Sequence, residues 1–388
     1  MAEFRKLRLV HVTDGRSRAE SLHGGDVSIY HFTRSLAALG HDVRFVGVTQ
    51  KEASPIPGVD VVSADPAFFS LIASGDFERK MIEYQPDLIH FHGSYVPVNS
   101  AGARVARKAG IPYVLTPHGN LSQAVLNRRA YLKKPYRAFF ELPMLEQALF
   151  VHAIADREVI REYGVTRPIE EARNGIDLPS HYKQAADRIG VTRHGVSADR
   201  KVALFLGRLD QGQKGLDLLI EGFAIALTKN PELHLLIAGV GWKNDQHELE
   251  ELVARLGLKD SVTFTGAIYG KEKEELLRDC DCFVHPSRWE AGVPFSVLEA
   301  LAYGKPCVVT AEVDREGILQ DAPCIQLVEI DAGEIAQGLT TLINGDANKI
   351  EISAQAARTL CKEHFSWRAS AQTITAAYLK HLNHGFGR

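Results

Sequence analysis

Short apolar runs alternate along this chain with longer stretches whose apolar positions recur at helical spacing. The runs at 7–12, 43–48, 59–62, 88–91, 113–116 and 150–154 predict strands. Asp26 is expected to cap a helix carrying Val27, Ile29, Leu36 and Leu39, which Gly40 closes. Helical spacing also covers 68–84, 96–109 and 157–163. Residues 179–200 are polar with little periodicity, and a domain boundary is expected there. The pattern then begins again with a strand at 202–206 and a glycine-bearing loop. A helix follows with Leu216, Leu219, Ile220, Phe223 and Leu227 on one side, ending before Pro231. Strands are expected at 233–238, 262–265, 282–285 and 307–310. Between the last two, a helix starts near Phe295 and stops at Gly304, with Val297, Leu298, Leu301 and Ala302 apolar. Strand, loop, helix, strand is a βαβ unit, and its repetition in both halves predicts an α/β protein of two doubly wound domains in tandem.

Composition narrows the function classes. A chain of 388 residues exceeds the usual single-domain range. A net charge of −3 argues against a general nucleic-acid binder. No apolar run reaches the length of a membrane span, and the first twelve residues lack a signal-peptide core. Cys280, Cys282, Cys307, Cys324 and Cys361 are odd in number and lack metal-ligand spacing. Reduced, mostly buried thiols in a cytoplasmic protein are expected.

Candidate chemistry gathers where strands end, because a parallel sheet binds ligands at the carboxyl ends of its strands. The polar loop before the first helix ends in Gly24 and Gly25, which suits close approach of a ligand to backbone amides. Two strands run into His-Gly, at His92 and His118. His92 is expected to be a core histidine satisfied by a backbone carbonyl, and His118, between Pro117 and Gly119, a functional one. In the second half Arg208 leaves a strand, and Lys214 and Gly215 sit at a helix start. A guanidinium, an ammonium and free helix N–H groups together make a diphosphate site. Gly239 and residues 266–269 end strands where backbone groups can hold a nucleotide base. Glu290 lies in the loop after the strand at 282–285, and Glu299 sits in the next helix, where a carboxylate needs a partner. Asp279-Cys280-Asp281 resembles a D-x-D metal motif but falls between a helix and a strand, so packing and capping are expected instead. Residues 128–140 are basic with interleaved aromatics, either a solvated helix face or a contact for an anionic lipid surface.

GRLDQGQKG, GVG, FTGAI and HPSRWEAGVPFSVLEALAYGKPCVV, in that order, resemble the retaining glycosyltransferases of family 4. GGD, LAALGHDV, DLIHFHG, TPHG and ARNGID in the first half have counterparts there too, and FSWRASAQTITAAYLKHL resembles the family's last helix. The resemblance implies a GT-B fold: two Rossmann-like domains facing across a cleft, 1–178 with a crossing helix at 366–388, and a donor domain at 179–365. It implies that Arg208 and Lys214 hold the donor diphosphate and that Glu299 binds the ribose. It places the turn of Gly266, Ala267, Ile268 and Tyr269 near the base, with Gly239 nearby. Glu290, Ala291, Gly292, Val293, Pro294 and Phe295 form the donor-sugar loop. His118 lies near the transferred sugar, and Gly24 and Gly25 face the donor phosphates and the acceptor. The departing diphosphate helps deprotonate the acceptor, so no enzyme nucleophile and no metal or cofactor is required.

The family pattern has seven residues between two glutamates, whereas Glu290 and Glu299 have eight between them and Ala291 stands at the first position. A one-residue bulge that leaves Glu290 on the sugar is expected. The segment after Thr310 also lacks the family's glycine-rich turn. The expected function is metal-independent hexosyl transfer, with retention, from a nucleotide-diphosphate sugar to a hydroxyl of a glycan, lipid-linked glycan or small acceptor. A non-catalytic nucleotide-sugar-binding subunit and a sugar-nucleotide epimerase stay open as alternatives.

Overall fold

The computed structural model describes residues 5–14, 24–49, 54–67, 71–122, 126–127, 130–241, 244–290 and 292–385. The chain divides into two compact units, Met1–Gly175 with Trp367–Arg388, and Ile176–Ser366.

The first unit holds seven parallel strands: β1 (Arg8–Thr13), β2 (Asp42–Val48), β3 (Asp60–Ala64), β4 (Leu88–His92), β5 (Tyr113–Thr116), β6 (Val151–Ala153) and β7 (Ile169–Glu171). Their order is β3-β2-β1-β4-β5-β6-β7, so the winding reverses between β1 and β4. Every residue of β4 is buried, as expected for a central parallel strand covered on both faces. Period-two alternation puts Ile89 and Phe91 on one face, and Leu88, His90 and His92 on the other. The register pairs His11 of β1 with His90. Imidazoles therefore stand where a parallel sheet usually carries aliphatic side chains.

The helix Trp367–Gly385 belongs to this unit although it closes the chain. Trp367 stacks on His31 of the helix Gly24–Ala38, with ring centroids 5.4 Å apart. A Cβ on Gly175 would lie 2.3 Å from the Trp367 nitrogen, so only glycine allows this approach. Further along, Thr375 meets His41 at 2.9 Å and the buried Tyr378 meets His90 at 2.5 Å.

The second unit holds six parallel strands: β8 (Lys201–Leu206), β9 (Leu233–Ala238), β10 (Val262–Gly266), β11 (Cys282–His285), β12 (Cys307–Thr310) and β13 (Ile325–Val328). Their order is β10-β9-β8-β11-β12-β13, and the winding reverses between β8 and β11. All five cysteines are free and buried in this unit.

Two expected helices begin elsewhere. The first starts at Gly24, so Asp26 lies in its first turn, where its charge favours the helix dipole, and does not cap it. The second covers only Gly75–Ile82. Ser74 caps it by accepting from the Phe77 amide at 3.1 Å, and this cap stops extension into residues 71–73, while 68–70 lie outside the described residues.

Candidate active site

The exits of β8 and β11 flank the switch point of the second unit, and backbone contacts lock them together. Gly239, after β9, has φ +148°, and a Cβ there would lie 1.7 Å from the Gly207 carbonyl oxygen. Beyond Arg208, Asp210 accepts from the Gln213 amide at 3.0 Å and caps a single helical turn, Gln211–Lys214. Gly215 ends that turn at φ +63°, and a Cβ there would lie 2.1 Å from the Pro286 oxygen. The loop after β11 is stitched to the same turn. The Arg288 amide donates to Gln213 O at 2.7 Å, and its guanidinium grips Asp217 bidentately at 2.8 and 2.7 Å. Thr310 at the end of β12 donates to Ser287 O at 2.5 Å.

This scaffold joins Lys214 to Glu290 and leaves Arg208 on Gln213, next to Lys214 in the chain. The Lys214 ammonium donates to Glu290 Oε1. The same oxygen accepts from Ser287 Oγ at 2.6 Å and faces His285 Nε2 at 3.1 Å. Arg208 donates to Gln213 Oε1 at 2.8 Å, one residue from Lys214. Burial opposes ionisation of Glu290, yet the Lys214 ammonium and the His285 ring hold its carboxyl down at about 2. Burial, and then Lys214, push His285 below its ordinary value. The cluster is thus an ionised carboxylate against a fixed ammonium, with a neutral imidazole beside them.

Glu299 stands apart from that cluster. It lies in the helix Phe295–Ala302 and accepts from Lys273 at 2.8 Å, so a lysine supplies the partner its position demands. Pro294 precedes this helix, whose Ser296 hydroxyl lies 3.5 Å from His285 Nδ1. Gly292 has φ +141°, and Val293 and Phe295 pack partly against the core. Ala291 lies outside the described residues. Gly266 ends β10 at φ +73° with open space where a Cβ would be, and Ala267 follows it. Ile268 is buried in the core. The Asp279-Cys280-Asp281 carboxylates are structural: Asp279 accepts from the Gly190 amide at 2.9 Å, and Asp281 accepts from Arg188 at 2.6 Å.

His285, Ser287, Gln213 and Lys273 were not singled out by the sequence. His285 and Ser287 flank Pro286 just upstream of Glu290, a local signal that could have been used. Lys273 is 26 residues from Glu299, and no local pattern joins them.

In the first unit His118 ends the β5 exit at φ +53°, a left-handed backbone that non-glycine residues adopt only under constraint. The residue is partly buried, and its ring Nε2 lies 3.1 Å from His92 Nδ1. His92 is buried as expected, but its ring bonds to histidines and not to a carbonyl, with His11 Nδ1 2.8 Å from its Nε2. Its own carbonyl accepts from Asn99 at 2.8 Å. Burial pushes His118 and His11 down to about 3, and His90 and His92 well below the usual histidine range. His11, His90 and His92 have ring nitrogens within 4.8 Å of one another, a spacing that could hold a metal ion. Those of His90 and His92 are already engaged in hydrogen bonds. Gly24 and Gly25 open the first helix and do not end a loop, and nothing lies within 4 Å of a Cβ built on Gly25.

A cavity of ≈ 260 Å³ opens near the carboxyl ends of β1 to β4, walled by Asp14, Asp65, Ile72, Phe77, Tyr95 and Val98. Tyr95 is held at φ +60°, with its amide donating to the buried Glu141 at 3.0 Å. Glu141 ends a π-helical turn, Arg137–Glu141, that follows the helix Ala130–Tyr136. This is the basic, aromatic stretch, of which Arg128 and Arg129 lie outside the described residues. Lys133 sits over Tyr95 and Arg137 over Tyr163, so two of its cations serve the unit's own packing. Tyr131 and Phe139 are each 75% exposed and Leu132 54%. Among the described residues no helix is long and apolar enough to cross a membrane.

Known proteins share this layout. The sequence profile of a family described as Glycosyltransferase Family 4 matches residues 22–179, and that of one described as Glycosyl transferases group 1 matches residues 200–345. The chain is 31% identical to mannosylfructose-phosphate synthase of Agrobacterium fabrum over 56% of its own length and 52% of that protein, so it spans about half the length of that relative. It is 26% identical to D-inositol 3-phosphate glycosyltransferase of Stackebrandtia nassauensis across 92% of this chain and 86% of that one. The structure of Anabaena Alr3699/HepE in complex with UDP and glucose matches with a TM-score of 0.74 at 20% identity, covering 96% of this chain and 99% of that one, a likeness of fold. With one profile covering most of the first half and another most of the second, both on doubly wound parallel sheets, the chain belongs to the family 4, or group 1, glycosyltransferases of GT-B fold.

Proposed function

We propose that this glycosyltransferase moves a hexose, with retention of configuration and without a metal ion, from a nucleotide-diphosphate sugar to a hydroxyl acceptor. The observation that carries this is the Lys214–Glu290–His285 cluster at the switch point of the second unit. Loss of a nucleoside diphosphate leaves negative charge on the departing phosphate, and preorganised cations stabilise it most when they need not move. Lys214 is held in place by Glu290, and Arg208 is oriented by Gln213. The amino end of the helix Phe295–Ala302 adds a positive dipole end. Glu299 takes the ribose hydroxyls, and the strand ends at Gly239 and Gly266–Ile268 hold the base. In the first unit, His118 contacts the transferred sugar and Gly24 and Gly25 approach the phosphates and the acceptor. The leaving diphosphate accepts the acceptor's proton, so the protein supplies charge and position and no nucleophile.

Anabaena Alr3699/HepE, solved with UDP and glucose, supports a nucleotide-sugar donor. The acceptor is a glycan, a lipid-linked glycan or a small molecule. Proton NMR of the anomeric signal during turnover of UDP-glucose or GDP-mannose, with excess EDTA, tests both halves of the proposal. A product of the same anomeric configuration in EDTA is expected. An inverted product, or turnover restored only by a divalent ion, would contradict it.

A peripheral contact with the cytoplasmic face of a membrane, through residues 128–140, belongs to the same proposal. Exposed Tyr131, Leu132 and Phe139 beside exposed Lys134 suit insertion at an anionic interface.

A further inference from the structure

Three ring systems in the first unit form one continuous chain of hydrogen bonds. His11 Nδ1 lies 2.8 Å from His92 Nε2, and His92 Nδ1 lies 3.1 Å from His118 Nε2. At the inner end, His11 Nε2 is buried with no hydrogen-bond partner. At the outer end, His118 as a whole residue is only partly buried, and its Nδ1 is not among the buried side-chain atoms that lack a partner. Burial, reinforced by the neighbouring rings, disfavours the charged form of all three.

Three neutral imidazoles carry three ring protons. Each of the two shared contacts holds one of them, so the third must sit at one end of the chain. Choosing that end fixes the tautomer of every ring. A proton on His11 Nε2 would be a buried N–H with no acceptor, and such orphaned donors are rare. A proton on His118 Nδ1 points out of the chain at its open end. The neighbouring chain offers His11 nothing. The Ala172 carbonyl only accepts, so His152 Nε2 donates to it at 2.9 Å and His152 Nδ1 accepts from Thr116 at 2.8 Å. Thr116 then accepts from His90 Nε2 at 2.6 Å, and Tyr378 donates to His90 Nδ1 at 2.5 Å. Every proton there is committed.

We propose that His11 and His92 are positioning residues that lock His118 as the Nδ1–H tautomer, presenting a hydrogen-bond donor to an oxygen of the transferred sugar. The left-handed backbone at His118 fits this role, because a strained residue persists where its surroundings fix it. The proposal rests on the transferase reading for its kinetic consequence only; the tautomers themselves need no substrate.

The test is long-range nitrogen–proton NMR of the full chain labelled with ¹⁵N-histidine, assigned by His11→Gln, His92→Gln and His118→Gln. His11, His92 and His118 are all expected as Nδ1–H rings. Finding any of them as Nε2–H overturns the lock. So does a stoichiometric shift of the His11, His90 and His92 nitrogens on adding zinc, which would make the cluster a metal site. Kinetics give the second readout. His92→Asn places an amide donor where Nδ1 stood, and His92→Gln places it where Nε2 stood. With UDP-glucose or GDP-mannose, His92→Gln should lose about tenfold or more in kcat while His92→Asn stays within about threefold, the scale of one hydrogen bond. Equal loss in both would reduce His92 to a packing role and overturn the proposal. Absence of turnover in the wild type would instead count against the transferase reading, with the tautomers still decided by the spectra.

Discussion

Lys214 and Glu290 are joined as a largely buried ion pair although 76 residues separate them, their side chains only 13% and 10% exposed. The pair closes the gap between the β8 and β11 exits, and it shows what became of the unusual spacing between Glu290 and Glu299. Glu290 turns toward Lys214 and His285, and Glu299 finds Lys273.

Breaking that pair from one side should be costly. Lys214→Ala leaves a buried carboxylate without its cation, a loss of about 3–5 kcal/mol of stability. Glu290→Gln together with Lys214→Met should recover most of it, because neither charge is then left alone. Urea unfolding of the wild type and both variants measures this, and the double variant should still lack transferase turnover.

Acid should unfold the first unit early. His11 and His118 have folded values near 3 and His152 near 4, all below the ordinary 6.5, so they bind protons more weakly folded than unfolded. Their contribution to stability is fully present above about 6.5 and is lost as pH falls toward those values, at up to about 1.4 kcal/mol per pH unit for each group. Glu141 has the opposite sign: burial raises it to about 7 from 4.5, so its contribution is present below 4.5 and lost as pH rises through 7. The histidines outnumber it, and stability should rise with pH across this window. Glu141→Gln should steepen that rise, which unfolding midpoints from pH 4.5 to 7 would measure.

The sheet order of neither unit is written in local sequence, but its strands are. Central strands such as β4 and β9 are short apolar runs because helices cover both faces, and that signal survives without tertiary information. Helix starts were less legible. At 68–84 the apolar run outweighed Ser74 and Gly75, whose cap sets the true start. The loops at the strand ends of the second unit were legible because glycines must stand where two backbones meet, as at Gly215 and Gly239. The histidine chain was not, because it depends on β1 pairing with β4 and β4 with β5 across the sheet. His92 alone looks like any core histidine; only the pairing of β4 with β1 and with β5 brings it near His11 and His118.

Gly215→Ala should be as damaging as a catalytic substitution. The added Cβ meets the Pro286 oxygen at 2.1 Å in a left-handed conformation, so the Lys214 turn and the Glu290 loop must separate. The left-handed strain alone costs about 1–2 kcal/mol. Donor affinity, measured by titration calorimetry, should fall at least tenfold. Gly257→Ala, also at positive φ but with nothing within 4 Å, should cost stability and leave donor affinity unchanged.

Binding to vesicles tests the exposed aromatic helix. Phosphatidylglycerol vesicles should retain the protein at low salt and release it as salt rises, because screened charges attract less. Tyr131→Ser with Phe139→Ser should weaken binding at every salt concentration. Salt-independent absence of binding by the wild type would remove the membrane contact.

The most direct test of the donor site is a thermal-shift titration with UDP, GDP and ADP sugars, on wild type, Lys214→Ala and Glu299→Ala. A ligand that binds only the folded chain raises its melting temperature, by about 2.7 kcal/mol of stability at a hundred times its dissociation constant. The account predicts a shift with one nucleotide class in the wild type, and its loss in both variants whatever their own melting temperatures. No shift with any sugar nucleotide, or an undiminished shift in the variants, would contradict a donor site built on Lys214, Glu290 and Glu299.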